Sequence, residues 1–259
     1  MLTARDIAVR FGGLTAVDGA DLDIPDRGIF VLAGPNGAGK TTLFNVFTRI
    51  CPVERGAIDF DGIDLLRLKG HQIIEHGLAR SFQHAELFPS LSVMENVLVG
   101  LHSKICVGVV NGAMSLPSTR AREGRARKRA ELLLRRLDLW HLRDAAPADL
   151  PYGLQKLLDV ARALVSEPKL LLMDEPFAGL SEGEAPRLVD VIVEEGKDRA
   201  ILMIEHHLEL VMGIAERVTV MNFGRKIAEG TPATVRADPE VIRCYLGKEG
   251  ANTVRNQLC

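Results

Sequence analysis

The sequence has little that would place the protein outside the cell or inside a membrane. Its 4 cysteines are scattered and form no C-x-x-C pair, so we expect reduced thiols, not a disulfide or zinc framework. No apolar run approaches the roughly 18 residues that a membrane span requires. The first residues, Met1 to Asp6, contain no apolar signal-peptide core. We therefore expect a cytoplasmic address.

An excess of charge is also missing, as are internal repeats and low-complexity tracts. The formal net charge is −2 over 259 residues, so no global basic field would attract the chain to nucleic acid. No nucleic-acid partner is expected. With 47% hydrophobic and 25% charged residues, the composition is that of an ordinary globular protein. The length suits one large domain, or one domain with a subdomain.

What the sequence does contain is a phosphate-binding loop. Residues 34–42 match G-x-x-x-x-G-K-[ST] and lie between an apolar run typical of a buried strand and a segment with helical spacing. The glycines would let the backbone wrap a phosphate, and the helix N-terminus adds positive potential. We expect Lys40 to reach the β- and γ-phosphates of a nucleotide and Thr41 to place its hydroxyl on Mg²⁺. The candidate nucleotide-binding residues of the loop are Gly34, Pro35, Asn36, Gly37, Ala38, Gly39, Lys40, Thr41 and Thr42.

Two adjacent carboxylates end a second apolar segment. Residues 170–173 predict a buried strand that delivers Asp174 and Glu175 beside the phosphate loop. Two carboxylates at this point would cost too much desolvation free energy to be incidental. We expect Asp174 to hold Mg²⁺ through water and Glu175 to orient the attacking water. The pair favours a nucleotide hydrolase, and the N-K-x-D element with which a GTPase reads guanine is absent.

The rest of the pattern predicts an α/β fold interrupted by helices. Alternation at Ile7, Val9 and Phe11 indicates a half-buried strand, and S-x-x-E sequences at Ser92 and Ser181 predict two capping boxes that open helices. Further strands are predicted at 57–60, 200–204 and 218–221, and two short closing helices at 232–246.

A long helix is predicted from about Thr119 to Leu139. Its first part is strongly basic, which is compatible with binding nucleic acid or lipid headgroups. We favour a solvated helix face, because leucines further along supply an apolar stripe.

Further motifs resemble those of ATP-binding-cassette (ABC) ATPases, and more narrowly the nucleotide-binding subunits of branched-chain amino acid importers. The resemblance runs from about Leu2 to Gly247. Its markers, in chain order, are Phe11, Gln83 in Arg80-Ser81-Phe82-Gln83, the signature segment Leu150-Pro151-Tyr152-Gly153, Ala178-Gly179-Leu180-Ser181, Ile204-Glu205-His206 and Tyr245-Leu246-Gly247. The sequence departs from the family pattern at Leu154, Leu157, Ser181 and His207.

The resemblance implies a P-loop NTPase fold of the ABC type, with an antiparallel β subdomain and an inserted α-helical subdomain. The ABC ATPase domain would be 1–249, with a nucleotide-binding core and β subdomain at 1–84 and 159–249, a helical subdomain carrying the signature at 85–158, and a tail at 250–259.

The resemblance also implies roles for individual residues. Phe11 would stack on adenine, which we favour over the alternative that it continues the Ile7–Val9 face into the core. Glu175, His206 and Gln83 would be catalytic, Thr41, Gln83 and Asp174 would hold Mg²⁺, and Tyr152 and Gly153 would meet the ATP of a facing subunit.

The implied function is an ATPase that energises an importer by ATP-driven dimer closure. Its partners would be a second ABC ATPase subunit, which in this group is a different chain, and transmembrane permease subunits. An extracytoplasmic substrate-binding protein would act indirectly. The implied location is the cytoplasmic face of the inner membrane, as a peripheral protein. A soluble ABC-type ATPase acting on the ribosome or DNA is the alternative, and a nucleotide kinase is a third.

Overall fold

A computed structural model describes residues 1–81, 86–101, 117–205 and 211–246. Gln83, His206 and Gly247, on which three expectations rest, lie outside these residues. Among the described residues, the strands are β1 Leu2–Phe11, β2 Leu14–Ile24, β3 Gly28–Ala33, β4 Arg55–Phe60, β5 Ile63–Asp64, β6 Leu78–Ser81, β7 Leu170–Asp174, β8 Ala200–Ile204, β9 Arg217–Asn222 and β10 Arg225–Gly230.

These strands form two sheets. In the six-stranded sheet the order is β10-β9-β3-β8-β7-β6, with β10 antiparallel to β9 and the other described pairs parallel. The other sheet is antiparallel, in the order β2-β1-β4-β5. Every residue of β3, β7 and β8 is buried, as expected for parallel strands covered on both faces. The predicted α/β class with an antiparallel β unit is confirmed.

The described helices surround the six-stranded sheet. They are α1 Lys40–Phe47, α2 Gly70–Glu75, α3 Val93–Val99, α4 Pro117–Arg136, α5 Tyr152–Leu164, α6 Ala185–Gly196, α7 Pro232–Ala237 and α8 Pro239–Leu246. Short 3₁₀ turns lie at Leu65–Arg67, Trp140–Leu142 and Pro147–Asp149. Within the described ranges, no helix combines the length and the apolarity needed to cross a bilayer.

The core has two parts, one on each face of the six-stranded sheet. Alternate residues of β7 separate them: Leu171 and Met173 pack with α3, α4, α5 and α6, whereas Leu170 and Leu172 pack with α1 and the antiparallel sheet. Because strand side chains alternate between faces, one buried strand serves both halves of the core.

One of the two predicted capping boxes forms. Ser92 accepts a hydrogen bond from the Glu95 amide, and the Glu95 carboxylate accepts one from the Ser92 amide in return, so α3 begins as predicted. The prediction that Ser181 caps a helix is wrong, because α6 begins at Ala185 after an N-cap at Glu184. The Ser181 carbonyl accepts from the Glu184 and Ala185 amides and closes a turn ahead of the helix. Only the return bond, from the Ser181 amide to the Glu184 carboxylate, is present.

The basic helix α4 ends at Arg136, slightly earlier than predicted, and Asp138 behind it has a φ of 58°. Arg125, Arg127 and Lys128 are exposed, as a solvated face requires. Arg129 differs, because it crosses to the buried Glu195 of α6 and donates to both carboxylate oxygens at 2.9 Å.

Glu195 also faces two other guanidinium groups. Arg199 Nε lies 3.0 Å and Arg136 Nη1 3.6 Å from the carboxylate. One buried carboxylate therefore joins α4, α6 and the residue just before β8.

We expect Glu195→Gln to lower the free energy of unfolding by about 2–4 kcal/mol, since it leaves largely buried guanidinium groups without their counter-charge. Denaturant unfolding followed by circular dichroism measures the change. The matched control is Glu194→Gln, which removes only an exposed pair with Lys197 and should cost less than about 1 kcal/mol. Equal costs for the two changes would contradict a supporting role for Glu195.

Candidate nucleotide-binding site

The phosphate loop connects β3 to the N-terminus of α1 through backbone conformations that glycine adopts readily. Gly34, Gly37 and Gly39 have φ values of 141°, 79° and 98°. A Cβ on Gly34 would lie 2.1 Å from the Met221 carbonyl oxygen, and one on Gly39 would lie 2.4 Å from that of Ala16. The loop is therefore pressed between the end of β9 and the β2 strand.

The α1 helix begins directly at Lys40, after Gly39 in the left-handed conformation, and no described side chain caps this terminus. Its first amides and the positive end of its dipole therefore face the loop. This arrangement forms a concave site that can bind an anion.

The Lys40 side chain is buried and its ammonium lies inside the loop. Nζ donates to the carbonyl oxygens of Gly34 at 2.7 Å and Pro35 at 2.9 Å. Burial lowers the pKa of Lys40, and the nearby carboxylates of Glu175 and Asp174 act in the opposite direction. To reach a phosphate, the ammonium would exchange these carbonyl contacts for phosphate oxygens.

A cavity of about 440 Å³ opens beside the loop, which is within the usual range for small-molecule sites. Its lining consists of Phe11, Leu14, Thr15, Ala16, Asn36, Gly37, Ala38, Gly39, Lys40, Thr41, Thr42 and Glu175. The Phe11 side chain is 52% exposed, so the alternative that it belongs to the core is wrong. Phe11 lines the cavity instead.

Asp174 is buried at the end of β7 and is paired with a residue that the sequence analysis did not select. Arg80 of β6 lies with Nη2 2.9 Å from Asp174 Oδ2 and donates through Nη1 to Asn45 Oδ1 at 2.7 Å. Its guanidinium also sits over the Phe44 ring, 5.6 Å from the centroid. Burial raises the pKa of Asp174, whereas Arg80 opposes that shift. The sequence contains a signal for Arg80, because an arginine in a largely buried strand needs a partner. It does not show that this partner is Asp174.

Glu175 follows Asp174 in a backbone conformation that is unusual for a residue other than glycine. Its φ is 48°, and its amide donates to the Ile204 carbonyl at 2.9 Å. Glu175 lines the same cavity as the phosphate loop. The structure thus brings this carboxylate and the loop together, as the sequence analysis expects.

The signature segment lies at the start of α5 and does not reach this cavity within the described chain. The helix begins at Tyr152, and Pro151 is its N-cap. Tyr152 is half exposed, and Gly153 packs so closely that a Cβ there would lie 2.5 Å from Glu184 Oε2. Leu157, one of the departures from the family pattern, is fully buried.

Gln83 and His206 lie outside the described residues, but the strands before them are described. β6 ends at Ser81 and β8 at Ile204, and both are parallel to β7. The carboxyl ends of parallel strands meet at one edge of a sheet, which is also the edge where the phosphate loop begins. The roles of Gln83 and His206 stay predictions.

We expect Gly34→Ala to lower the free energy of unfolding by about 2 kcal/mol or more, because its Cβ would collide with the Met221 carbonyl. Gly37→Ala is the matched control, since its φ is also positive but its Cβ would meet no described atom within 4 Å. Backbone strain alone should cost that variant about 1 kcal/mol. Unfolding curves for both variants measure the difference, and equal costs would contradict the close approach.

Comparison with known proteins assigns the family. The family model described as ABC transporter matches residues 17–178, and the model described as branched-chain amino acid ATP-binding cassette transporter matches residues 225–251. The high-affinity branched-chain amino acid transport ATP-binding protein LivG of Salmonella typhimurium is 40% identical over 250 residues, covering 96% of this chain and 98% of that protein. The corresponding protein BraF of Pseudomonas aeruginosa is 36% identical with the same coverage.

Solved structures agree with this assignment. A nucleotide-free ATP-binding cassette from an ABC transporter superposes with a TM-score of 0.79 at 29% identity, covering 96% of this chain and 99% of that one. An ATP-binding cassette in its ADP conformation gives the same TM-score and coverage at 30% identity. The chain therefore belongs to the ABC transporter family, and within it to the ATP-binding cassettes that LivG and BraF represent.

Proposed function

We propose that this protein is the ATP-binding and ATP-hydrolysing subunit of an ABC importer for branched-chain or related amino acids. The observation that carries the proposal is a single cavity lined by both the phosphate loop and the Glu175 carboxylate. The names of the relatives LivG and BraF, which match over nearly the whole chain, support the substrate class.

In the proposed site, the residues have distinct roles. The loop amides and Lys40 bind the phosphates of ATP, Phe11 stacks on adenine, and Glu175 orients the attacking water, with Gln83 and His206 completing the catalytic set. The Thr41 hydroxyl, the Asp174 carboxylate and the Gln83 amide offer the oxygen ligands that Mg²⁺ prefers. Bound there, with Asp174 acting through water, Mg²⁺ would neutralise charge on the phosphates.

The partners follow from the same proposal. Tyr152 and Gly153, with the N-terminus of α5, would face the ATP of a second and different ABC ATPase subunit. ATP would then hold the two subunits together, and closure would be passed to transmembrane permease subunits through a helical subdomain at 85–158. Substrate would arrive from an extracytoplasmic binding protein, and the subunit would lie at the cytoplasmic face of the inner membrane. No observation on the chain favours action on the ribosome or DNA.

Two substitutions separate binding from hydrolysis. Lys40→Ala should weaken ATP binding and stop hydrolysis, because it removes a charge-assisted contact to the β- and γ-phosphates. Glu175→Gln should keep binding while lowering kcat by about 10²–10³, since it removes the group that orients water. Binding is measured with a fluorescent ATP analogue and turnover by phosphate release.

The controls are Lys197→Ala and Glu194→Gln, which alter an exposed ion pair. Wild-type binding by Lys40→Ala would rule out the phosphate-loop assignment, and wild-type turnover by Glu175→Gln would rule out its catalytic role.

A pair of unlike subunits would contain two unlike sites, and the site built on this chain's phosphate loop should carry most of the hydrolysis. The other site would be closed by this chain's signature, in which Pro151 has no amide hydrogen and Leu154 packs against the core. Each missing hydrogen bond is worth about 0.5–1.5 kcal/mol.

The test uses the assembled transporter and compares Glu175→Gln with the matching change in the partner. We expect the larger loss of turnover from Glu175→Gln, and unchanged or raised turnover from Leu154→Gln. Equal losses from the two glutamate changes would contradict the asymmetry.

A further inference from the structure

The α5 helix carries a buried cation that the proposed function does not use. Lys156 lies one turn beyond the signature segment and is 3% exposed. A lysine is seldom buried without a partner, because removing an ammonium group from water costs several kcal/mol. The contacts of Lys156 therefore indicate what it supports.

The ammonium group of Lys156 is bound to the backbone of the candidate catalytic residue. Nζ donates to the Glu175 carbonyl oxygen at 2.6 Å and lies 5.7 Å from the centroid of the Tyr152 ring. Burial lowers the pKa of Lys156, whereas the carboxylates of Glu205 and Glu175 are the first of four that favour its charged form. The group thus links the signature helix to the chain segment after β7.

Glu175 needs such support because its backbone is strained. A left-handed conformation in a residue other than glycine is unfavourable and persists only where the surroundings impose it. Three backbone contacts impose it here: the Glu175 amide donates to Ile204, and its carbonyl accepts from the Ala178 amide and from Lys156. Among these three contacts, the one with Lys156 comes from a side chain and from a residue within a helix, α5.

The signature segment touches the same stretch of chain at two further points. A Cβ on Gly179 would lie 2.9 Å from the Tyr152 ring, and one on Gly153 would lie 2.5 Å from the Glu184 carboxylate. Contacts this close leave little room for the start of α5 to move without moving residues 175–184. Glu205, which precedes His206, belongs to the same packed region, because its carboxylate accepts from the Phe177 amide at 3.0 Å.

We propose that Lys156 is a positioning residue that holds Glu175 in its left-handed conformation and ties it to the signature helix. The inference rests on the proposed function, in which the signature faces the partner's ATP and Glu175 serves the ATP of its own subunit. Through Lys156, the orientation of the attacking water at this subunit's own ATP depends on the position of the signature helix, which faces the partner's ATP.

The test compares Lys156→Met with Lys156→Arg in the full-length protein, assembled with its partner subunits. Lys156→Met should lower kcat by about 10- to 100-fold and leave KM for Mg-ATP within about twofold, because Glu175 moves while the nucleotide contacts remain. Lys156→Arg keeps a charged donor and should restore most of the loss. Lys197→Met, at an exposed lysine, is the control and should match wild type. Should Lys156→Met not fold, Lys156→Gln replaces it.

A second variant separates positioning from general support of the fold. In a Glu175→Gln background, Lys156→Met should change kcat by less than about twofold, because the group it positions is already absent. Losses that multiply in the double variant, equal losses in Lys156→Met and Lys156→Arg, or a wild-type kcat for Lys156→Met would each overturn the inference. If Glu175→Gln alone keeps wild-type turnover, it is the proposed function that fails.

Discussion

The structure depends on how charges are compensated at the carboxyl edge of the six-stranded sheet. Lys40, Asp174, Lys156 and Glu205 are all buried there, and each ion would cost several kcal/mol if it were left without partners. Backbone carbonyls hold the two lysines, Arg80 holds Asp174, and a backbone amide holds Glu205. Because the compensation comes from neighbouring loops and strands, the conformations of the phosphate loop, the Glu175 segment and the start of α5 are mutually dependent.

Local patterns were enough to predict the parts of the site that are contiguous in sequence. The phosphate loop and the acidic pair each combine an apolar strand with a short motif, so their place at strand ends followed from spacing alone. The strands β3, β7 and β8 were similarly clear, since full burial produces uninterrupted apolar runs.

Contacts between distant segments could not be predicted in this way. Arg80 and Asp174 are 94 residues apart in sequence, and the pattern around either residue does not identify the other as its partner. The helical pattern around Lys156 does not show whether this lysine is buried or exposed, because its burial depends on tertiary packing. Ser181 shows the opposite failure, because it carries a local capping signal, yet its backbone carbonyl closes a turn and its side chain does not cap α6. The alternating pattern of β1 left open whether Phe11 belongs to the core, and its exposure in the structure shows that it does not.

The order of strands in the six-stranded sheet also constrains when the site can form during synthesis. β3 leads into the phosphate loop, yet its partners in the two neighbouring strands come much later in the chain: Ala200 of β8 is 172 residues after Gly28, and Arg217 of β9 is 187 residues after Phe30. The Met221 carbonyl, against which Gly34 packs, belongs to β9 itself. Pairing over such a separation must wait for the intervening chain, because the entropy of closing the loop is lost before any contact is gained. A nascent chain that ends before β9 therefore carries the complete phosphate-loop sequence without the walls that shape it. The walls of the phosphate loop are therefore complete only after β9 has been made and has paired with β3.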